Sequence, residues 1–73
     1  MTKSIEITDA RQVERINELA THVPYEVWLS AGPVMLDARS LLGLFSLIGK
    51  RVDVVVEDTV SDRAFTKLVK KMV

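Results

Sequence analysis

Isoleucine alternates with polar residues across Ser4-Ile5-Glu6-Ile7-Thr8, a period of two that predicts a strand with Ile5 and Ile7 facing inward and Glu6 outward. From Asp9 the period lengthens. Val13, Ile16, Leu19, Ala20 and Val23 recur at helical spacing, Asp9 and Gln12 have the pattern of a capping box, and Pro24 blocks continuation. Tyr25 to Ser30 alternates again, Ala31-Gly32-Pro33 reads as a turn and Val34-Met35-Leu36 as a short returning strand, so a hairpin follows the first helix. Ser40 offers a side-chain cap to a second helix that runs towards a stop at Gly49, with Leu41, Leu44, Phe45 and Ile48 on one face and Leu42 and Leu47 off it. Val52 to Glu57 is densely β-branched, with Val52, Val54 and Val56 on one side. Thr59 and Asp62 form a second capping pattern, and Ala64, Phe65, Leu68, Val69 and Met72 give the last helix its buried face. Lys67, Lys70 and Lys71 stand at its C-terminal end, where the helix dipole favours cations.

The predicted order is β-α-β-β-α-β-α. It reads as an α+β open-faced sandwich: a four-stranded, mainly antiparallel sheet with three helices on one face and the fourth strand between the first two. The other sheet face is then bare and should carry Glu6, Trp28 and Val55. Trp28 there is either a contact for a partner or a second copy, making a homodimer, or a ring lying flat over its neighbours in a monomer.

Length and charge narrow the function. The 73 residues read as one domain spanning 1–73, and a chain of this size buries only about 60% of its unfolded surface, which leaves little room for a deep active site. Ten basic residues balance ten acidic ones. That balance removes the electrostatic footprint expected of a nucleic-acid binder or a membrane-surface protein. With no cysteine and one histidine, a disulfide framework and the usual metal sites lack their ligands, and neither a metal nor a cofactor is expected. No apolar run approaches a leader or a membrane span, so the expected location is the cytoplasm. Nothing resembles a Ser-His-Asp set, a Gly-rich phosphate loop or a paired-carboxylate cleft, and the chain is not expected to be an enzyme.

The segment Ala38-Arg39-Ser40-Leu41-Leu42-Gly43-Leu44-Phe45-Ser46-Leu47-Ile48-Gly49-Lys50 holds more apolar side chains than a short helix can turn inward. Either a modifiable hydroxyl stands beside an apolar patch kept open for a partner, or Ser40 caps an ordinary core helix. This segment, the element order and the strong fourth strand resemble the HPr family of bacterial phosphocarrier proteins across nearly the whole chain. In Gram-positive members a regulatory serine at the start of the short second helix is phosphorylated by an ATP-dependent HPr kinase/phosphorylase, and Ser40 matches that position. The resemblance implies that Leu41, Leu42, Leu44, Phe45 and Leu47 form a partner-binding surface. Its partners would be the first enzyme of the sugar phosphotransferase system, its sugar transporters and a transcriptional regulator.

The family's other site is a histidine in a His-Ala-Arg-Pro motif at the first helix N-terminus, which takes a phosphoryl group originating from phosphoenolpyruvate. Here the matching residues are Asp9-Ala10-Arg11-Gln12. Arg11 is retained, Asp9 replaces the histidine, Gln12 replaces the proline, and the preceding loop is short. Asp9 and Arg11 thus read as a degenerate phosphocarrier site, with Asp9 a helix cap. The lone histidine, His22, falls at the other end of the helix, where the dipole disfavours a phosphoryl group. The resemblance therefore implies a non-catalytic, serine-regulated HPr-like binding module, similar to the catabolite-repression variants that lack the histidine. The alternatives are an active phosphocarrier that uses Asp9 or His22, and a bare interaction or dimerisation domain.

Overall fold

Every residue from Met1 to Val73 is described in the computed structural model. The elements run β1 (Thr2–Glu6), α1 (Ala10–His22), β2 (Trp28–Ala31), β3 (Val34–Asp37), α2 (Leu41–Phe45), β4 (Arg51–Val55) and α3 (Asp62–Met72). The sheet order is β1-β4-β2-β3 with every pairing antiparallel, so β4 lies between β1 and β2, as in a split βαβ unit. The mainly antiparallel sheet of the sequence reading is wholly antiparallel.

The register sorts the two faces. Thr2, Val55, Trp28 and Asp37 share one row of the open face, Ser4, Asp53, Ser30 and Met35 the next, and Glu6 pairs with Arg51. Glu6, Trp28 and Val55 are therefore on the bare side, and Trp28 is half-buried there. On the other side Ile5, Leu29, Val52 and Val54 meet Val13, Ile16 and Ala20 of α1 and Phe65, Leu68 and Met72 of α3 in one core. Helix α1 packs against both α2 and α3, which puts it in the middle of the helical layer.

Local chemistry sets the boundaries. Pairing continues past β1, because Gly49 N–H donates to the Ile7 carbonyl at 2.7 Å and Ile7 N–H to the Lys50 carbonyl at 2.9 Å. The left-handed backbone at Gly49, φ 89°, makes that close approach possible. The β2–β3 hairpin is closed by Gly32-Pro33 between paired Ala31 and Val34. Gly32 takes φ 58° and Pro33 a negative φ, the combination of a type II′ turn. Strand β2 begins at Trp28 rather than Tyr25: after Pro24 the chain needs Tyr25 and Glu26 to turn back to the sheet, although the Val27 carbonyl already accepts from Ala38 N–H at 2.9 Å. The last helix is capped by Ser61, whose hydroxyl accepts from Ala64 N–H at 3.1 Å, and not by Thr59. Burial of Val60 into the core decides this, since it carries the chain past Thr59 before the helix starts.

The second helix departs most from expectation. It is one short turn, Leu41–Phe45, followed by turns through Gly49, and the Ser40 side chain makes no capping bond. Its apolar face is also different: Leu44 and Leu47 are in the core, whereas Leu41, Leu42, Phe45 and Ile48 are exposed. After Phe45 the chain tightens, with Ser46 N–H donating to the Gly43 carbonyl and Leu47 N–H to the Leu44 carbonyl. These three-residue steps rotate Leu47 inward and Ile48 outward relative to an α-helical continuation.

Candidate functional site

Two regions match the sequence-predicted sites: the N-terminus of α1 and the Ser40–Ile48 segment. At the first, only Ile7, Thr8 and Asp9 connect β1 to α1. Asp9 has extended backbone, and its carboxylate accepts from Gln12 N–H at 2.8 Å, so it is the cap of α1. An anionic side chain already occupies the position where a phosphoryl group would need free N–H groups. Arg11 is exposed beside it, and Glu6, Thr8, Asp9, Arg11, Gln12 and Arg15 line a shallow open depression there.

Gln12 does more than a capping-box partner. Its Oε1 accepts from Thr8 N–H at 2.8 Å and from the Thr8 hydroxyl at 3.0 Å, one residue earlier than the reciprocal bond of a capping box. Its Nε2 donates to the Glu6 carbonyl and to the Met72 carbonyl, both at 2.9 Å. Gln12 is the one polar residue among the buried set, 7% exposed, and no buried side-chain polar atom lacks a partner. A single amide thereby fastens the end of β1, the start of α1 and the last turn of α3. The sequence names Gln12 but not this role, because its partners at Glu6 and Met72 are brought together only by folding.

At the second region Ser40 is exposed and its hydroxyl is free of capping duty. Gly43 keeps the space in front of it open: a Cβ at Gly43 would sit 3.3 Å from Ser40 Oγ. Ser46, the other hydroxyl of the segment, donates to the Gly43 carbonyl at 2.6 Å. Leu42 is 86% exposed, and Leu41, Phe45 and Ile48 between 36% and 38%. These four form the open apolar surface. Leu44 and Leu47, which the resemblance placed on the partner-binding surface, are 1% and 3% exposed and belong to the core.

Arg39, the cation next to Ser40 in the chain, is already engaged. Its side chain holds both carboxylate oxygens of Asp37, at 3.1 and 2.8 Å, its N–H donates to Asp37 Oδ1 at 2.9 Å, and Nη2 also reaches Glu26. The Arg39 side-chain bonds, followed by its backbone N–H, hold the Asp37 carboxyl below the usual carboxylate range. Bonding to Asp37 and the nearby Glu26 charge push the Arg39 guanidinium up in turn. The signal for this cluster was present as Asp37 two residues before Arg39 at a strand end, a spacing that favours an Asx turn.

His22 Nδ1 lies 2.7 Å from the Glu18 carbonyl, which only accepts, so Nδ1 carries the proton there. The ring is exposed at the C-terminal end of α1, at the far end of the helix from Asp9 and Arg11. No group of three or more His, Asp or Glu side chains is gathered where a metal ion could sit, and no helix is long and apolar enough to cross a membrane.

Among known proteins, no family model and no curated protein matches the sequence. Solved structures do match the fold. The crystal structure of HPr-C-His from Thermoanaerobacter tengcongensis superposes with TM-score 0.77 at 22% identity, covering 99% of this chain and 90% of that one. The phosphocarrier protein HPr from Bacillus anthracis strain Ames superposes with TM-score 0.74 at 16% identity, covering 97% of this chain and 94% of that one. Element order, antiparallel sheet and three-helix layer coincide over nearly the whole length, and the chain therefore has the fold of the HPr phosphocarrier proteins.

Proposed function

We propose that this chain is an HPr-like, non-catalytic protein-binding module of the bacterial sugar phosphotransferase system, regulated by phosphorylation of Ser40 in the cytoplasm. The observation that carries the reading is the state of the α1 N-terminus, where Asp9 caps the helix and Gln12 locks the short connection around it. A phosphoryl carrier needs a good leaving group next to free N–H donors; here the acceptor position holds a carboxylate, and a second anion beside it would be repelled.

The rest of the segment supports a binding role. Leu41, Leu42, Phe45 and Ile48 present an apolar surface beside an exposed hydroxyl with no structural duty. Phosphate on Ser40 adds roughly −1.5 to −2 charges at the edge of that surface. With Arg39 held by Asp37 and Glu26, the new charge either draws Arg39 away from those carboxylates or stands uncompensated. Both outcomes alter which partners the apolar surface accepts. Partners of this class are phosphotransferase-system enzymes, a serine kinase/phosphorylase and a transcriptional regulator.

The test is a pair of labelling reactions read by intact mass. Phosphoenolpyruvate with the first enzyme of the system should leave the chain unchanged, and ATP with HPr kinase/phosphorylase should add one phosphoryl group that Ser40→Ala abolishes. An acid-labile adduct in the first reaction would instead make Asp9 or His22 a carrier site. Absence of an adduct in the second, or its survival in Ser40→Ala, would end the regulatory assignment.

A further inference from the structure

The positive charge of this neutral chain is unevenly placed. Arg63, Lys67, Lys70 and Lys71, four of its ten basic residues, lie on α3, whose sole acidic residue is Asp62. Arg63, Lys67 and Lys70 are spaced to share one helical face, and none of the four takes part in an ion pair. Helix stability explains only part of this. Lys70 and Lys71 suit the C-terminal end of the dipole, but Arg63 stands in the first turn, where a cation is unfavourable.

Beside the basic face runs a groove between α1 and α3, with a volume near 340 Å³. Its floor is Leu19, Val23 and Ala64, three of the partly buried apolar residues packed against the core, and its rim carries His22, Lys67 and Lys71. Lys67 also borders the basic face, so groove and charge are one continuous surface. Because α1 separates α2 from α3, this surface flanks α1 on the side away from the Ser40 segment.

We infer that the α1–α3 groove docks an acidic amphipathic helix of a partner protein, its apolar residues seated on Leu19, Val23 and Ala64 and its carboxylates on Lys67, Lys70 and Lys71. Apolar grooves between helices accept helical segments through anchors at helical spacing, and an uncompensated basic rim selects carboxylates. A polyphosphate backbone is disfavoured, since it has no apolar side chains to cover Leu19, Val23 and Ala64 on the groove floor and the chain has no net charge to attract it. A lipid surface is disfavoured because the large exposed apolar side chains are elsewhere, on β3, on α2 and the turn after it, and at Val73.

The experiment titrates the isotopically labelled full chain with a synthetic amphipathic peptide bearing Glu and Leu on opposite helical faces. Amide shifts should concentrate in Leu19–Tyr25 and α3, and binding should weaken about tenfold in Lys67→Glu combined with Lys71→Glu and decline as salt is raised. Lys67→Gln, which adds no repulsion, should show a smaller loss, and the same peptide with Gln for Glu should bind more weakly. Absence of binding, or shifts confined to Leu41–Ile48, overturns the inference. So does tighter binding of a single-stranded oligonucleotide or of phosphatidylserine vesicles than of the peptide.

Discussion

Replacing Gln12 with methionine removes its four hydrogen bonds while keeping a side chain of similar length in place. The loss can be worked bond by bond. The contact to the Met72 carbonyl is fully buried, and an acceptor left unpaired there costs about 1–3 kcal/mol. The contacts to the Glu6 carbonyl and to Thr8 N–H and hydroxyl are partly buried; water can replace them in part, so each contributes about 0.5 kcal/mol. The total is about 3 kcal/mol. In a domain of this size each kcal/mol moves Tm by about 4–8 °C, so a fall of about 12–24 °C should be plain in thermal unfolding followed by far-ultraviolet circular dichroism, and the free-energy loss in urea unfolding followed by Trp28 fluorescence. Gln12→Glu provides an internal control with a defined pH dependence. Its ionised carboxylate faces the Glu6 and Met72 carbonyls with no proton to donate, which raises its folded pKa above the ordinary value of about 4.3. Its stability should therefore be greatest below that value and be lost as pH rises through the higher folded pKa. A Gln12→Met protein within about 0.5 kcal/mol of the parent would refute the account, because it would mean that water serves these groups equally well.

Other perturbations separate the remaining claims. Ser40→Ala should change stability by less than about 0.5 kcal/mol, because no capping bond is lost; a loss near 1 kcal/mol in urea unfolding would show a hidden cap. Leu42→Ser should leave Tm unchanged at 86% exposure while weakening any partner that docks on this surface, whereas Leu44→Ala, in the core, should cost about 2–5 kcal/mol. Gly49→Ala should cost about 1–2 kcal/mol from backbone strain alone, since its φ is 89° and its Cβ would meet nothing within 4 Å. Asp37 has a depressed folded pKa, so its contribution is present above the ordinary aspartate value of about 3.9 and is lost as pH falls through the lower folded value. Asp37→Asn should therefore flatten the acid limb of the stability profile measured by urea unfolding.

Element type and order were legible in the chain because they depend on local periodicity. Ile5 and Ile7, Val52, Val54 and Val56, and Val13, Ile16 and Ala20 each repeat at the spacing of their own element and are buried as that spacing predicts, while Leu19 at the edge of the helical stripe is only partly buried. The bare-face placement of Glu6, Trp28 and Val55 also followed, since one choice of strand register sets every side chain on that strand. Asp9 as cap of α1 was legible for the same reason, its partner Gln12 N–H lying within one helical turn. Tertiary structure decided what local spacing leaves open. Helix α2 holds its α-helical hydrogen bonding for so short a run that the three-residue steps after Phe45 redirected Leu47 and Ile48. Burial of Val60 shifted the α3 cap to Ser61. Long-range closure alone brought Met72 to Gln12, Glu26 to Arg39, and Lys67 and Lys71 to the flank of α1. These contacts depend on how layers meet in space, and separation along a chain carries no record of that until the core has formed.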